Sequence, residues 1–233
     1  HILITHAHRD HSALAPALSR ATNAPILAFG PPEAGRTTVM RSLAANGLSG
    51  GGEGLDTGFK PDATLVDGQK LCRADWSVTT LHTPGHFAGH LSFVVPTGDG
   101  RVAITGDTVL GWTSTLISPP DGDLGAFMVT CRMLRDQSFT QLLPGHGETI
   151  THPTKRLSWL IAHRKTREHQ VLAALSQRPA RAADLVAQIY TDIAPALHPM
   201  ATRNVLAHLI DLYERNLVSA TPHLAADAVF TLC

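Results

Sequence analysis

Short apolar runs, many of them with β-branched residues, recur along the first 150 residues, and most are bounded on at least one side by Gly, Pro or Asp. Such runs are typical of strands. They predict strands at residues 2–4, 25–29, 64–66, 69–73, 76–81, 91–95, 101–105 and 142–144, with a turn at Asp67-Gly68. Helical spacing predicts one helix over 13–20, capped by Ser12, and another over 123–136. Strands that alternate with helices indicate an α/β fold.

Residues 30–64 lack a clear period and are rich in Gly and Pro, with Gly50-Gly51-Gly52 at their centre. This composition predicts a loop insertion. The insertion either borders a substrate pocket or is an inert surface excursion, and we favour the pocket.

The pattern changes after residue 150, which predicts one domain over 1–150 and a smaller domain over 151–233. Helical periods cover 153–176, 182–190 and 201–216, and a short hairpin is expected within 218–232. Helix, helix, helix, hairpin is the order of a winged helix. The first of these helices carries cations that either bind phosphate groups or are simply solvated: Lys155, Arg156, Arg164, Lys165 and Arg167.

Charge and cysteine content narrow the function classes. The 233 residues have a formal net charge of zero, so no general attraction to nucleic acid or to an anionic membrane is expected. Three widely spaced cysteines predict no disulfide framework, which favours the cytoplasm. No apolar run approaches the length of a membrane-spanning helix.

The first cluster of candidate functional residues directly follows the first apolar run, at Thr5-His6-Ala7-His8-Arg9-Asp10-His11. Neutral imidazoles and carboxylates suit zinc and related divalent ions. A strand that ends in a tight loop can turn such closely spaced side chains toward one point. We therefore interpret this cluster as half of a metal site, with Arg9 as a solvated residue at its rim.

The other half is sought where later strand-like runs end in a Gly-containing turn. Three places qualify: the turn with His82 and His86, the turn with Asp107, and the turn with His146. Glycine beside a ligand permits close backbone approach or a positive φ. His86, Asp107 and His146 complete a set of seven candidates, which is enough for two metal ions.

At this point the chain resembles the metallo-β-lactamase superfamily. The His-x-His-x-Asp-His motif of that family matches residues 6–11, and its later motifs match Thr-Pro-Gly-His, Thr-Gly-Asp-Thr and Pro-Gly-His-Gly in this chain. The resemblance implies an αββα sandwich. It also implies one metal held by His6, His8 and His86, a second held by Asp10, His11 and His146, and Asp107 between the two. Because the chain begins inside what should be a core strand, we expect the opening strands of the family to be missing here.

The resemblance further implies two divalent metal ions, with Zn²⁺ expected and Mn²⁺ or Fe²⁺ as alternatives. Two such ions can share a hydroxide that attacks a carbonyl or phosphoryl centre. Asp10 is the candidate catalytic residue, whether it ligates metal, orients the nucleophile or accepts its proton. We expect a hydrolase of a small ester, thioester or lactone. The alternatives are an endoribonuclease specific for single-stranded RNA and a nucleic-acid-binding regulator with a secondary metal site.

The C-terminal part resembles the winged-helix tail of lactamase-beta-like family members. Its third helix offers only Arg203 and Arg215 as basic residues. Packing against the catalytic domain, walling the pocket or supporting a homodimer is therefore favoured over DNA recognition. Among the remaining histidines, His82 is expected to cap a strand end. His90 either orients a ligand or is a hydrogen-bonded structural residue. Packing or surface roles are expected for His152, His163, His169, His198, His208 and His223.

Overall fold

The computed structural model describes residues 1–50, 54–191 and 193–233, so Gly51 and Gly52 of the predicted glycine triplet lie outside the described residues. Its strands are β1 (Ile2–Leu3), β2 (Ile26–Ala28), β3 (Ala63–Thr64), β4 (Lys70–Cys72), β5 (Ser77–His82), β6 (Leu91–Thr97), β7 (Gly100–Gly106), β8 (Gln141–Pro144), β9 (Val218–Thr221) and β10 (Val229–Leu232). Its helices are α1 (Arg9–Ser12), α2 (Ala15–Thr22), α3 (Thr38–Ala45), α4 (Leu124–Arg135), α5 (Pro153–Leu175), α6 (Ala182–Ile189) and α7 (His198–Glu214).

Two sheets form the centre of the N-terminal part. The first is parallel, in the order β1-β2-β3, and the second has the order β4-β5-β6-β7-β8. In the second sheet only β7 and β8 pair in parallel. Strands β5, β7 and β8 therefore run in the same direction, and their C-terminal ends lie at one edge. The backbone N–H of Leu91, at the start of β6, donates to the carbonyl of Thr5, which brings the end of β1 to the same edge.

The sheets stack face to face, with helices on their outer sides. Leu27, Leu65, Leu91 and Phe93 pack between the sheets. Ala15 of α2 packs near the first sheet, while α4 and α5 cover the second. This arrangement of layers confirms the predicted αββα sandwich.

The C-terminal helices and hairpin form a second core. Val171, Leu185, Leu209 and Phe230 are buried together there, and β9 pairs with β10 in an antiparallel hairpin. Helix α5 belongs to both cores, since Leu157 and Leu160 of its first half pack with the sandwich. The predicted winged-helix order is confirmed. Within the described residues, no helix combines the length and apolarity needed to cross a bilayer.

The Gly- and Pro-rich segment contains a helix, so the prediction of an entirely irregular loop over 30–64 is wrong. Thr37 caps α3 by accepting a hydrogen bond from the Met40 N–H at 3.3 Å. Met40 and Leu43 are buried in the winged-helix core. Eight residues give too short a period to be recognised in the sequence, and contacts with distant residues stabilise the helix.

The predicted cap at Ser12 is also wrong. Ser12 is the buried last residue of α1, and α2 begins only at Ala15. The Ser12 hydroxyl lies 3.0 Å from the His8 carbonyl oxygen and 2.9 Å from the Asp56 carboxylate. A buried hydroxyl needs such partners, and here they stabilise the histidine-rich loop rather than a helix N-terminus.

The arginines of α5 make hydrogen bonds within the protein. Arg156 donates to the carbonyl of Leu110, and Arg167 donates to the carbonyl of Ile189 at 3.2 Å. Arg164 is 2 % exposed, so the expectation of a solvated side chain is wrong there. The two lysines, Lys155 and Lys165, are the exposed cations of this helix.

Candidate metal centre

The seven predicted side chains meet at the edge where β1, β5, β7 and β8 end. His86 lies in the β5–β6 loop, Asp107 directly follows β7, and His146 follows β8. Their donor atoms form two groups, each with all atoms within 4.8 Å of one another, namely His6, His8 and His86, and Asp10, His11, Asp107 and His146.

The first group is a buried trio of histidines. The Nδ1 atom of His8 lies 2.9 Å from Nε2 of His6 and 3.1 Å from Nε2 of His86. All three residues are at most 5 % exposed. Three ring nitrogens therefore converge on one enclosed point.

The second group opens to solvent. Nε2 of His146 lies 3.0 Å from Oδ2 of Asp10, and Nε2 of His11 lies 3.3 Å from Oδ1 of Asp107. The side chain of Asp10 is 52 % exposed. Substrate can thus approach from this side.

Asp107 lies between the two groups. Its Oδ2 atom is 3.8 Å from Nε2 of His86 and 3.6 Å from Nε2 of His146. One carboxylate oxygen is therefore within 4 Å of a histidine of each group.

The protonation of the trio suits metal binding. Burial first, and then repulsion from His86, lowers the pKa of His8 to about 3. Burial likewise holds the pKa of His6 well below its usual range, and it lowers that of His86. Unprotonated nitrogens that face one another at 2.9–3.1 Å repel through their lone pairs unless a proton or a cation lies between them.

The open group carries complementary charge. Burial alone would raise the pKa of Asp107, but the close His11 and the neighbouring histidines lower it to about 2. Burial opposes protonation of His11, yet Asp107 outweighs it and raises the His11 pKa. Nevertheless His11 Nε2 and Asp107 Oδ1 are buried without a well-formed hydrogen bond to any described group. A buried carboxylate and imidazole in this state fit a divalent cation.

Hydrogen bonds from neighbouring groups orient the trio. The Nδ1–H of His86 donates to the carbonyl of Leu116 at 2.8 Å, because a carbonyl oxygen can only accept. Oγ1 of Thr5 lies 3.1 Å from Nδ1 of His6. In both rings Nε2 is therefore the atom left to face a metal.

Two glycines allow the ligands to converge. A Cβ on Gly145 would lie 2.5 Å from Oδ1 of Asp107 and 2.7 Å from Cε1 of His11. Gly106 has a φ of 46°, and a Cβ there would lie 2.6 Å from Nε2 of His90. The close approach predicted for glycine beside a ligand is therefore present at both positions.

His90 supports the site from beneath it. Its Nε2 accepts a hydrogen bond from the backbone N–H of Asp107 at 3.2 Å. Nδ1 must then carry the proton, and it lies 2.9 Å from Thr83 Oγ1 and 3.1 Å from Thr108 Oγ1. Both roles considered for His90 therefore apply. It is a hydrogen-bonded residue of the core, and it also holds the backbone of Asp107, a candidate ligand, in place. His82, the last residue of β5, does not take part in either group. Its Nε2 atom lies 2.9 Å from the carbonyl oxygen of Ala88.

The insertion supports the ligand loop through contacts that the sequence did not indicate. The N–H of Asp56 donates to the carbonyl of Ala7, and the N–H of Arg9 donates to the carbonyl of Gly54. These pairs join positions more than forty residues apart (Ser12 and Asp56 are separated by 44). Sequence spacing carries no signal for such contacts.

Comparisons with known proteins agree with this geometry. The family model "Metallo-beta-lactamase superfamily" matches residues 1–165, and the model "Beta-lactamase associated winged helix domain" matches residues 182–225. A Drosophila melanogaster protein named beta-lactamase-like protein 2 homolog is 31% identical over 151 residues, which are 64% of this chain and 49% of that protein.

Another relative is named atrochrysone carboxyl ACP thioesterase, from Pseudocercospora fijiensis. It is 27% identical over 223 residues, which are 93% of this chain and 57% of that protein. The chain thus spans about half the length of these curated relatives.

Solved structures support the fold over the whole chain. A metallo-beta-lactamase family protein from Thermus thermophilus matches 100% of this chain and 79% of its own, with a TM-score of 0.75 and 23% identity. A beta-lactamase domain protein from Burkholderia ambifaria matches 100% of this chain and 74% of its own, with a TM-score of 0.77 and 21% identity. From its family-model match, its two-sheet sandwich and its winged helix, the chain belongs to the metallo-beta-lactamase superfamily.

Proposed function

We propose that this protein is a metal-dependent hydrolase with a dinuclear centre, and that its substrate is a carboxylic ester, thioester or lactone. The observation that carries the proposal is the position of Asp107 between a buried histidine trio and a solvent-open group. His6, His8 and His86 would hold one ion, and Asp10, His11 and His146 the other, with Asp107 shared.

Zinc is the proposed metal, because imidazole and carboxylate donors suit it, and Mn²⁺ and Fe²⁺ remain alternatives. When bound, such ions would polarise a carbonyl oxygen and make a water molecule more acidic. The residues provide the rest of the site. The neutral trio offers lone pairs, and ionised Asp107 offsets positive charge beside it.

Asp10 is the proposed proton acceptor. Its carboxylate lies on the exposed side of the site, 3.0 Å from His146, where a water molecule and a substrate can both reach it. Water would add its oxygen to the acyl carbon while Asp10 accepts the proton. The bond from that carbon to sulfur or oxygen would then break, and the proton would pass to the leaving thiolate or alkoxide.

A thioester is the first substrate class to test, since several relatives are named ACP thioesterases. The ribonuclease alternative has less support, because the arginines of α5 are engaged within the protein. The regulator alternative has less support for a similar reason: Arg203 donates to Ser118 Oγ and Arg215 to Glu168. A cytoplasmic location and a homodimer stay predictions.

The test is an assay of the zinc-loaded chain against an aryl thioester, a carboxylic ester, a lactone, a chromogenic lactam and single-stranded RNA. We expect turnover of the thioester or the other acyl substrates, loss of turnover after chelation, and recovery on adding zinc. Cleavage of RNA alone would favour the endoribonuclease. No turnover of any substrate, together with tight duplex binding that weakens steeply with salt, would favour the regulator.

Replacement of Asp10 by Asn tests the proton acceptor. The amide keeps the size of the carboxylate but is not a base, so kcat should fall about 100-fold or more. Bound zinc is measured in the same samples, because loss of metal would also abolish turnover. Full activity at full zinc occupancy would exclude this role for Asp10.

A further inference from the structure

The segment from Thr115 to Ser118, between Asp107 and α4, has neither helix nor strand. Thr115, Ile117 and Ser118 are nevertheless fully buried. Backbone N–H and C=O groups that are shielded from water need partners within the protein. The Thr115 carbonyl and the Ile117 N–H find their partners in side chains of the C-terminal helices, while the Ser118 carbonyl accepts from the N–H groups of Asp121 and Gly122.

Asn204 of α7 is the central partner. Its Oδ1 atom accepts hydrogen bonds from the backbone N–H of Ile117 at 3.1 Å and from Arg164 Nη1 at 3.0 Å. Two donors that converge on one atom identify it as the amide oxygen. Arg164 of α5 also donates to the carbonyl of Thr115. Asn204 and Arg164 thus hold the loop on both sides of Leu116.

Arg203 extends the same contact along the loop. Its Nε donates to Ser118 Oγ at 3.0 Å, and its guanidinium also donates to the carbonyl of Pro119. Neighbouring residues of α7 therefore bind consecutive residues of the loop.

The residue held between these contacts is Leu116, whose carbonyl orients His86. His86 donates Nδ1–H to that carbonyl at 2.8 Å, and its Nε2 then faces His8 at 3.1 Å. If this carbonyl moved, the His86 ring could take the other tautomer and could rotate away from its present orientation. Groups that orient a metal-binding histidine in this way set its affinity for the metal.

We propose that Asn204 is a positioning residue for the metal centre: through Ile117 N–H it fixes the Leu116 carbonyl, which fixes His86 as the Nδ1–H tautomer. The winged helix is then part of the support of the site. This inference rests on the proposed function in one respect, that His86 binds metal.

Three variants of the full chain test it. Asn204→Leu keeps a similar volume and removes the acceptor, whereas Asn204→Asp keeps an oxygen for both donors. Thr202→Val is the matched control, because within the described residues the Thr202 hydroxyl donates to the carbonyl of His198 in its own helix. Circular dichroism establishes that each variant is folded.

Two measurements follow. Competition with a chromogenic chelator gives zinc affinity, which should fall about 10- to 100-fold in Asn204→Leu. It should stay near the wild-type value in Asn204→Asp and Thr202→Val. Long-range ¹H–¹⁵N imidazole spectra of the zinc-free protein should show His86 protonated at Nδ1 in the wild type and a mixed tautomer in Asn204→Leu.

Wild-type zinc affinity and a wild-type His86 tautomer in Asn204→Leu would overturn the inference. If the wild-type protein binds no zinc, the proposed function fails, yet the imidazole spectra still decide whether Asn204 positions His86. Should Asn204→Leu not fold, Arg203→Gln removes the contacts of α7 to Ser118 and Pro119 together with the one to the carbonyl of Ser49. The same two readouts should then shift in the same direction by a smaller factor. Unchanged readouts there would count against the inference.

Discussion

At the scale of single residues, the fold holds a carboxylate and several imidazoles close together in a buried site, although burial disfavours a charged carboxylate. Asp107 is buried, ionised and within 4 Å of three histidines. The neighbouring backbone makes room for it, since Gly145 lies where any side chain would collide with Asp107 and His11. The candidate ligands can therefore converge because residue 145 has no Cβ atom.

Gly145→Ala should weaken metal binding. The added Cβ would lie 2.5 Å from Asp107 Oδ1, so the carboxylate must move away from the shared position. We expect zinc affinity to fall about 10-fold or more by chelator competition. Gly98→Ala is the control, because a Cβ there meets no atom within 4 Å. Equal affinity in both variants would contradict the close packing described for Asp107.

The candidate ligands were accessible to sequence analysis because each is a His or Asp in the segment that follows a strand-like run, and strand direction brings those segments to one edge. Their supporting groups were not. Thr5, Asp56 and the carbonyl of Leu116 act through partners set by the fold. The bond from Ile117 to Asn204 crosses 87 positions, and no local pattern marks it.

At the scale of elements, α7 both packs in a core and holds a distant loop, and the hydrophobic period of its sequence indicates only the packing. One face carries Val205 and Leu209 into the winged-helix core, and another carries Asn204 to the loop beside the metal centre. Its period predicted the helix but not the second role. For α3 the period was too short to predict even the helix, which forms because Met40 and Leu43 reach that same core.

His208, also on α7, should make stability sensitive to acid. Its side chain is 1 % exposed, and neither ring nitrogen has a hydrogen-bond partner among the described residues. Burial first, and then the charge of Arg164, holds its pKa well below the usual 6.5. The folded protein therefore keeps His208 neutral while the unfolded chain takes up a proton, so stability is full above about pH 6.5 and falls as the pH drops.

His208→Leu removes this proton uptake. Between about pH 7.5 and pH 5.5 the free energy of unfolding should fall by about 1.4 kcal/mol less than in the wild type. Urea unfolding at both pH values measures the difference, with His169→Gln as an exposed control. Equal acid sensitivity in wild type and His208→Leu would show that His208 is protonated in the folded state.

At the scale of the whole molecule, the two cores share one helix. Residues of α5 are buried in the sandwich at Leu157 and Leu160 and in the winged helix at Val171 and Leu175. Loss of packing in either core therefore changes an element on which the other depends. We expect the chain to unfold as one cooperative unit.

Phe230→Ala tests this coupling. Phe230 is fully buried in the winged-helix core, and the truncation should cost about 3–5 kcal/mol. The three tryptophans, Trp76, Trp112 and Trp159, lie outside that core. Their fluorescence should nevertheless shift to lower denaturant together with circular dichroism. A fluorescence transition that stays at its wild-type midpoint would mean that the sandwich unfolds independently.

The long reach of the bond between Ile117 and Asn204 has a consequence for biosynthesis. The ribosome releases His6, His8 and His86 well before α7, because Asn204 follows Ile117 by 87 residues. With Asn204 as the residue that fixes His86, a nascent chain holds the histidines but not their final orientation. On the proposed function, full metal affinity is therefore expected only after the C-terminal helices have emerged, which makes tight metal binding a late step of maturation.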